Sequence, residues 1–155
     1  MKKLFTITVM MMLSMGVFAQ KGSITTPSCK CSDLGIALVL FYQTPGNTTS
    51  DYILEVNYTQ NGKAKCEPEI KGFVKIRGIR ETLTGIQEDN LAIADLTKVS
   101  SSLFSVRYRI RQNQLISPLR LGQPHTFTFS HITYGLTPCP IVGYRAILDK
   151  EAPLR

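Results

Sequence analysis

The sequence predicts an all-β fold, an antiparallel β-sandwich with a small β-barrel as the alternative. Short apolar runs recur along the 155 residues, separated by clusters of Gly, Pro, Asn and Asp, which favour turns. Several runs alternate between apolar and polar residues, as a strand with one buried face does. The best helical pattern, over 86–98, has poor caps, so no helix longer than one or two turns is expected.

The expected strands follow in chain order. Residues 35–43 are almost all apolar, which is typical of a buried strand. Residues 52–60 alternate, with aromatic and aliphatic side chains on one face. The Asn61-Gly62 pair predicts a two-residue hairpin, because both residues tolerate positive φ. The other expected strands are 70–79, 91–96, 103–111, 126–134 and 141–148.

The first 19 residues are predicted to be a secretory signal peptide. Lys2 and Lys3 precede an apolar run over 4–18, and Ala19 is a small residue directly before the expected cleavage site. The run is short for a spanning helix, which needs about 20 apolar residues, although an uncleaved anchor is the alternative. The Lys-Lys start and the Ala19 junction resemble bacterial export signals, especially those of the Bacteroidetes. We expect a secreted, periplasmic or cell-surface protein whose mature chain, 20–155, is a single domain without a membrane span.

Composition and charge exclude several classes of protein. With 43% hydrophobic and 19% charged residues, the chain is too apolar to be disordered. Without the two N-terminal lysines, the chain has 16 Lys and Arg and 11 Asp and Glu, which gives a net charge of +5. This charge favours acidic partners only weakly. Nucleic acid is not an expected partner, because export removes the chain from it and the aromatic residues fall mostly on apolar faces.

Four cysteines in an exported chain predict two disulfide bridges. A bridge from Cys29 to Cys31 is disfavoured, because side chains two residues apart on a strand do not meet well. Two pairings remain open: Cys29–Cys66 with Cys31–Cys139, or Cys29–Cys139 with Cys31–Cys66. A metal site is disfavoured by the C-x-C spacing, and neither a metal nor another cofactor is expected.

One stretch has a more specific apolar spacing. Leu91, Ile93 and Leu96 precede a serine-rich turn, and Phe104 and Val106 follow it. This spacing resembles the E-strand, turn and F-strand of immunoglobulin-like domains, in which the last two positions carry Tyr and Cys. The resemblance implies an immunoglobulin-like β-sandwich without the corner hydroxyl hydrogen bond or the buried cystine of antibody domains.

The strongest candidate for a binding surface is a set of basic residues on two predicted strands. Arg107, Arg109 and Arg111 share one strand face, and Lys75 and Arg77 share another. If both faces lie on the same side of one sheet, they form a basic plate that binds carboxylates, sulfates or phosphates. The alternative is a solvated sheet face whose charges nearby glutamates neutralise.

The sequence carries no recognisable catalytic motif. A nucleophile elbow, a zinc-protease helix and a glycine-rich phosphate loop are all missing. On an unbroken strand, His125 and His131 would share a face with Phe127 and Phe129. Six residues of strand separate the two histidines by roughly 20 Å, which is too far for both to bind one metal ion. No catalytic residue is therefore assigned.

These observations predict a non-enzymatic binding or interaction module. The expected partner is an acidic protein or an anionic glycan that contacts Arg107, Arg109, Arg111, Lys75 and Arg77. The alternative is a structural subunit of a cell-surface assembly, held by pairing of a free, uncharged edge strand. A small hydrolase is the least favoured hypothesis.

Overall fold

The computed structural model of the chain describes residues 28–42, 51–62 and 66–149. The predicted signal peptide lies outside these residues. Strands make up 68% of the described part, which confirms the all-β prediction. Two single-turn 3-10 helices, Cys31–Asp33 and Gln112–Gln114, accompany them. The strands are β1 (Leu34–Tyr42), β2 (Tyr52–Gln60), β3 (Pro68–Thr82), β4 (Gly85–Asp95), β5 (Thr97–Ser101), β6 (Ser105–Ile110), β7 (Pro124–Tyr134), β8 (Thr137–Pro138) and β9 (Gly143–Asp149).

The nine strands form one mixed sheet, strongly curled into a half-barrel. Their order is β4-β3-β7-β9-β1-β2-β6-β5, with β8 paired to β7. The sheet is continuous because β9 pairs with β7 on one side and with β1 on the other. The β1–β9 pair is parallel, whereas the expected sheet was antiparallel throughout. We call β1, β2, β5 and β6 the β1 arm, and β3, β4, β7 and β9 the β3 arm.

The core lies between the two arms. Alternate apolar residues of β1, β2, β3, β4, β6, β7 and β9 face it, as the sequence periodicity of β2 predicts. Tyr108 of β6 donates a hydrogen bond from its hydroxyl to the carbonyl oxygen of Ile70 of β3, at 3.1 Å. This contact crosses the core, so β6 and β3 lie opposite each other. The largest fully buried side chains include Tyr52, Leu54, Ile76, Phe127 and Phe129.

The predicted hairpin at Asn61-Gly62 is wrong. β2 pairs with β1 and β6, whereas β3 pairs with β4 and β7, so the chain leaves one arm for the other after β2. The Asn61 amide donates instead to the carbonyl of Asp33, beside the start of β1. A hairpin does occur between β3 and β4, where Gly85 has a φ of +131°.

The alternation of buried and exposed side chains along β7 is interrupted near the end of the strand. The two histidines therefore do not share a face, as an unbroken strand would require. His125, Phe127 and Phe129 are buried, but His131 is exposed. The register between β3 and β7 shifts at the same place, where Gly72, with a φ of +82°, and Phe73 lie opposite Ser130 alone. Beyond Ser130, the buried residues of β7 are Ile132 and Tyr134.

The cysteines form the bridges Cys29–Cys66 and Cys31–Cys139, with Cα–Cα distances of 6.2 and 5.5 Å. This is the first of the two pairings that the sequence left open. The bridges fasten the segment before β1 to the start of β3 and to the segment between β8 and β9.

The segment that resembles immunoglobulin-like domains lies on the outer strands of the described sheet. Leu91 and Leu96 pack partly against the core. Ile93 and Phe104 are 64% and 66% exposed, respectively. The apolar spacing is therefore present, but two of its five residues face solvent.

Candidate functional site

The structure divides the five predicted basic residues between the two arms. Arg107 and Arg109 lie on the outer face of β6, because their neighbours Tyr108 and Ile110 face the core. Lys75 and Arg77 lie on the outer face of β3 for the same reason. In the strand order, β7, β9, β1 and β2 separate β3 from β6, so these two sets of basic side chains do not lie side by side. The five residues do not form one plate.

On the β1 arm, Arg107 is held by its neighbours. Its Nε donates to Oε2 of Glu55 at 2.6 Å, and its guanidinium lies 5.3 Å from the centroid of the Phe41 ring. Only 10% of the Glu55 side chain is exposed, and Phe41 is buried. The two opposite charges neutralise each other in a partly buried position. Removing either side chain would leave the other charge unpaired there and would destabilise the fold. Arg107 therefore stabilises this face of the sheet.

The other two predicted arginines of the β1 arm follow Arg107 at alternate positions, and the buried Nε of Arg109 has no hydrogen-bond partner. Arg109 lies in register with Ile53 on one side and Thr97 on the other. Arg111 follows β6 and lines a shallow depression of about 540 Å³, which Asp51 also lines. The acidic groups near this strand oppose its positive charge.

On the β3 arm, a third basic residue joins the predicted pair. Arg77 is in register with Thr126 of β7, and Thr126 is in register with Arg145 of β9. Lys75 is in register with the next outward residue of β7, Thr128. By strand spacing, the Cα atoms of Arg77 and Arg145 lie about 10 Å apart, and Lys75 lies about 7 Å along β3. We call Lys75, Arg77 and Arg145 the basic cluster.

The basic cluster keeps unsatisfied positive charge. Arg77 donates from Nη1 to Oε2 of Glu88 at 2.7 Å, but its Nε is buried without a hydrogen-bond partner. Within the described residues, Lys75 and Arg145 enter no ion pair. One carboxylate thus faces three cations. The free donors suit an anion, since guanidinium groups bind carboxylates and sulfates with paired hydrogen bonds.

Arg145 was missed in the sequence. The strand over 141–148 was expected, and alternation places Arg145 on its polar face. What the sequence does not show is that β7 separates β3 from β9, which brings Arg145 beside Arg77. Strand order is set by contacts between residues far apart in the chain.

The exposed side chains beside the cluster include large apolar groups. Ile93 of β4 is in register with Lys75, and Phe73, two residues before Lys75, is 46% exposed. A ligand on this face would meet positive charge, threonine hydroxyls and apolar surface together.

His125 is a buried histidine of the core. The Arg120 amide donates to its Nε2 at 3.4 Å, so the neutral ring carries its proton on Nδ1. Burial lowers the pKa of His125, because the charged ring is poorly solvated there.

We expect His125 to make stability fall as the pH drops. The unfolded chain takes up a proton near pH 6.5, whereas the folded chain resists it, so the free energy of unfolding falls below about pH 6.5. A His125→Gln variant should show a shallower decline between about pH 7 and 5.5 in urea unfolding. His131→Gln, at the exposed histidine, should keep the wild-type slope. Equal slopes in all three proteins would contradict this assignment.

The outer strands of the described sheet are poorly suited to pairing with another chain. β4 carries Glu88 and Asp89, which pair with Arg77 and Arg80. β5 carries Lys98 and a register shift next to it. Charges and bulges both oppose edge-to-edge pairing of strands.

Comparisons with protein-family models, curated proteins and solved structures found no match to this chain. Over residues 28–42, 51–62 and 66–149, no three metal-ligating side chains group together. In the same part of the chain, no helix combines the length and apolarity that crossing a membrane requires.

Proposed function

We propose that this chain is an exported, non-enzymatic interaction module that binds an acidic protein or an anionic glycan through the basic cluster. The proposal rests mainly on the register of β3, β7 and β9, which places Arg77 and Arg145 on either side of Thr126. Lys75 adds a third cation, and one carboxylate opposes them. Of the predicted residues, the proposal keeps Lys75 and Arg77 as ligand contacts and assigns Arg107 a structural role.

Export to the periplasm, the cell surface or the medium is part of the proposal. The predicted signal peptide supports it, as do two disulfide bridges, which form and persist in oxidising compartments. Closure of the two arms into an immunoglobulin-like sandwich is also proposed. The shared core between the arms supports that closure.

A double substitution tests the binding surface. Lys75→Gln with Arg145→Gln removes two cluster charges and leaves the Arg77–Glu88 ion pair in place. We expect the dissociation constant for immobilised heparin, or for a poly-glutamate peptide, to rise at least about tenfold, since hydrogen bonds to charged groups contribute about 1.5–3 kcal/mol. Because exposed charges are screened by salt, the salt dependence of binding should also weaken.

The matched control is Lys98→Gln with Arg111→Gln, which removes the same charge from the β1 arm. This control should bind as the wild type does. Equal losses in the two variants would mean that net charge alone drives binding, and a larger loss in the control would place the site on the β1 arm. Either result would refute the proposed surface.

A further inference from the structure

One segment links the two arms at an end of the core. Residues 115–123, which follow the 3-10 helix Gln112–Gln114, run from β6 of the β1 arm to β7 of the β3 arm. We call this segment the strap. Its Leu119 side chain is only 3% exposed and belongs to the core, and Leu115 packs partly against the core. The strap therefore contributes apolar side chains that close this end of the core.

Four backbone amides of the strap donate hydrogen bonds to four different strands. Three of the acceptors do not titrate between about pH 5 and 8. They are the carbonyl oxygens of Leu91 (β4) and Leu148 (β9), which accept from Ile116 and Gly122, and the hydroxyl oxygen of Tyr52 (β2), which accepts from Leu119. The fourth acceptor is Nε2 of His125 in β7, which accepts from the Arg120 amide at 3.4 Å. This contact is the one whose acceptor changes its protonation near neutral pH.

A turn at the end of the strap places Arg120 beside the histidine ring. The Gln123 amide donates to the carbonyl oxygen of Arg120 at 3.2 Å, and Gly122 has a φ of +71°, which glycine adopts without strain. The turn brings the chain back at the start of β7, so that Arg120 and His125, five residues apart, are in contact.

A proton on His125 removes the acceptor of this hydrogen bond. The charged ring carries a hydrogen on both nitrogens, so Nε2 and the Arg120 amide become two donors that face each other. His125 is only 2% exposed, and this burial lowers the pKa of the ring in the closed structure. If the strap moves away, the ring gains water and its affinity for a proton rises. Proton uptake and strap opening therefore favour each other.

The charged groups of the surrounding elements do not compensate a proton on His125. Gly78 is in register with His125 on one side and with Asp89 on the other, so Asp89 lies on the same face, about 10 Å away by strand spacing. Asp89 is already paired with Arg80 at 3.1 Å. The other titratable groups near this level of the sheet are the outward-facing Arg77, Glu88, Arg145 and Asp149, the exposed Arg120 of the strap and the uncharged Tyr52 of β2.

We propose that the strap is a pH-sensitive latch, which is closed at neutral pH and opens when a proton on His125 displaces the Arg120 amide. Opening withdraws Leu119 from the core and exposes the apolar end between the two arms, while the strands stay paired. A solvated histidine has a pKa of about 6.5. If the open strap leaves His125 solvated, the opening equilibrium rises about tenfold between about pH 7.5 and 5.5.

Amide hydrogen exchange of the oxidised protein, measured by NMR at about pH 7.5 and 5.5 and corrected for the intrinsic rate at each pH, tests the latch. The protection of the Leu119, Arg120 and Gly122 amides should fall about tenfold at the lower pH. Their exchange should change little in urea below the unfolding transition, because a local opening exposes little surface. The amides of β2 exchange by global unfolding, so their exchange should accelerate steeply in urea.

Variants identify the titrating group. His125→Gln should give the strap amides equal protection at both pH values, whereas His131→Gln should keep the tenfold fall. Leu119→Ala should lower the protection at both pH values and keep the ratio between them. Lys75→Gln with Arg145→Gln should also keep the fall, which separates the latch from the proposed anion binding. The inference is refuted if the wild-type strap amides are equally protected at both pH values, if they exchange only together with the β2 amides, or if His125→Gln retains the fall.

Discussion

Replacing Cys31 and Cys139 together with alanine is expected to lower the free energy of unfolding by about 4 kcal/mol. Their bridge spans 108 residues of sequence, so its loss frees a large loop in the unfolded chain. In the folded chain, the same bridge joins the segment before β1 to the segment before β9. Urea unfolding of the oxidised wild type and of the variant measures the difference.

The other bridge provides the matched control. Cys29 and Cys66 are 37 residues apart, so replacing both should cost about 0.5–1 kcal/mol less than removing the longer bridge. A loss below about 1 kcal/mol for either pair would show that the bridge constrains little. The reverse order of the two losses would contradict loop entropy as the cause.

Phe127→Ala is expected to cost about 3–5 kcal/mol, because it leaves a cavity in the core. Phe127 is fully buried, and it lies in register between Ile76 of β3 and Tyr144 of β9. Thermal or urea unfolding of the variant checks the loss.

Phe73→Ala is the matched control for the core, since it removes the same side chain from a half-exposed position on the β3 arm. Its cost should stay near 1 kcal/mol, as is usual away from the core. Similar losses at Phe73 and Phe127 would mean that the core does not lie between the two arms.

The strands that could be predicted are those with a strong local pattern. Residues 52–60 match β2 in full, because their alternation reports one buried face. The first half of β4 was missed, since the polar residues Gln87 to Asn90 carry no such pattern. They form a strand because the turn at Gly85 brings them against β3. Pairing with β3 stabilises the extended backbone that the local propensity of these residues does not favour.

What the sequence did not reveal depends on long-range pairing. Asn61-Gly62 has the composition of a hairpin, but the strands on either side of it belong to different arms. Arg145 and Arg77 are 68 positions apart and meet only because both pair beside Thr126. The disulfide pairing was open for the same reason, because Cys29 and Cys31 are nearly equivalent until the positions of β3 and β9 are known.

A tryptic map of the exported protein, purified without reductant, shows which cysteines are paired. Trypsin cleaves after Lys30 and so separates Cys29 from Cys31. We expect peptide 22–30 to be linked to 66–71 and peptide 31–63 to be linked to 121–145. Linkage of 22–30 to 121–145, or four free thiols, would contradict the covalent framework on which both arms and the basic cluster depend.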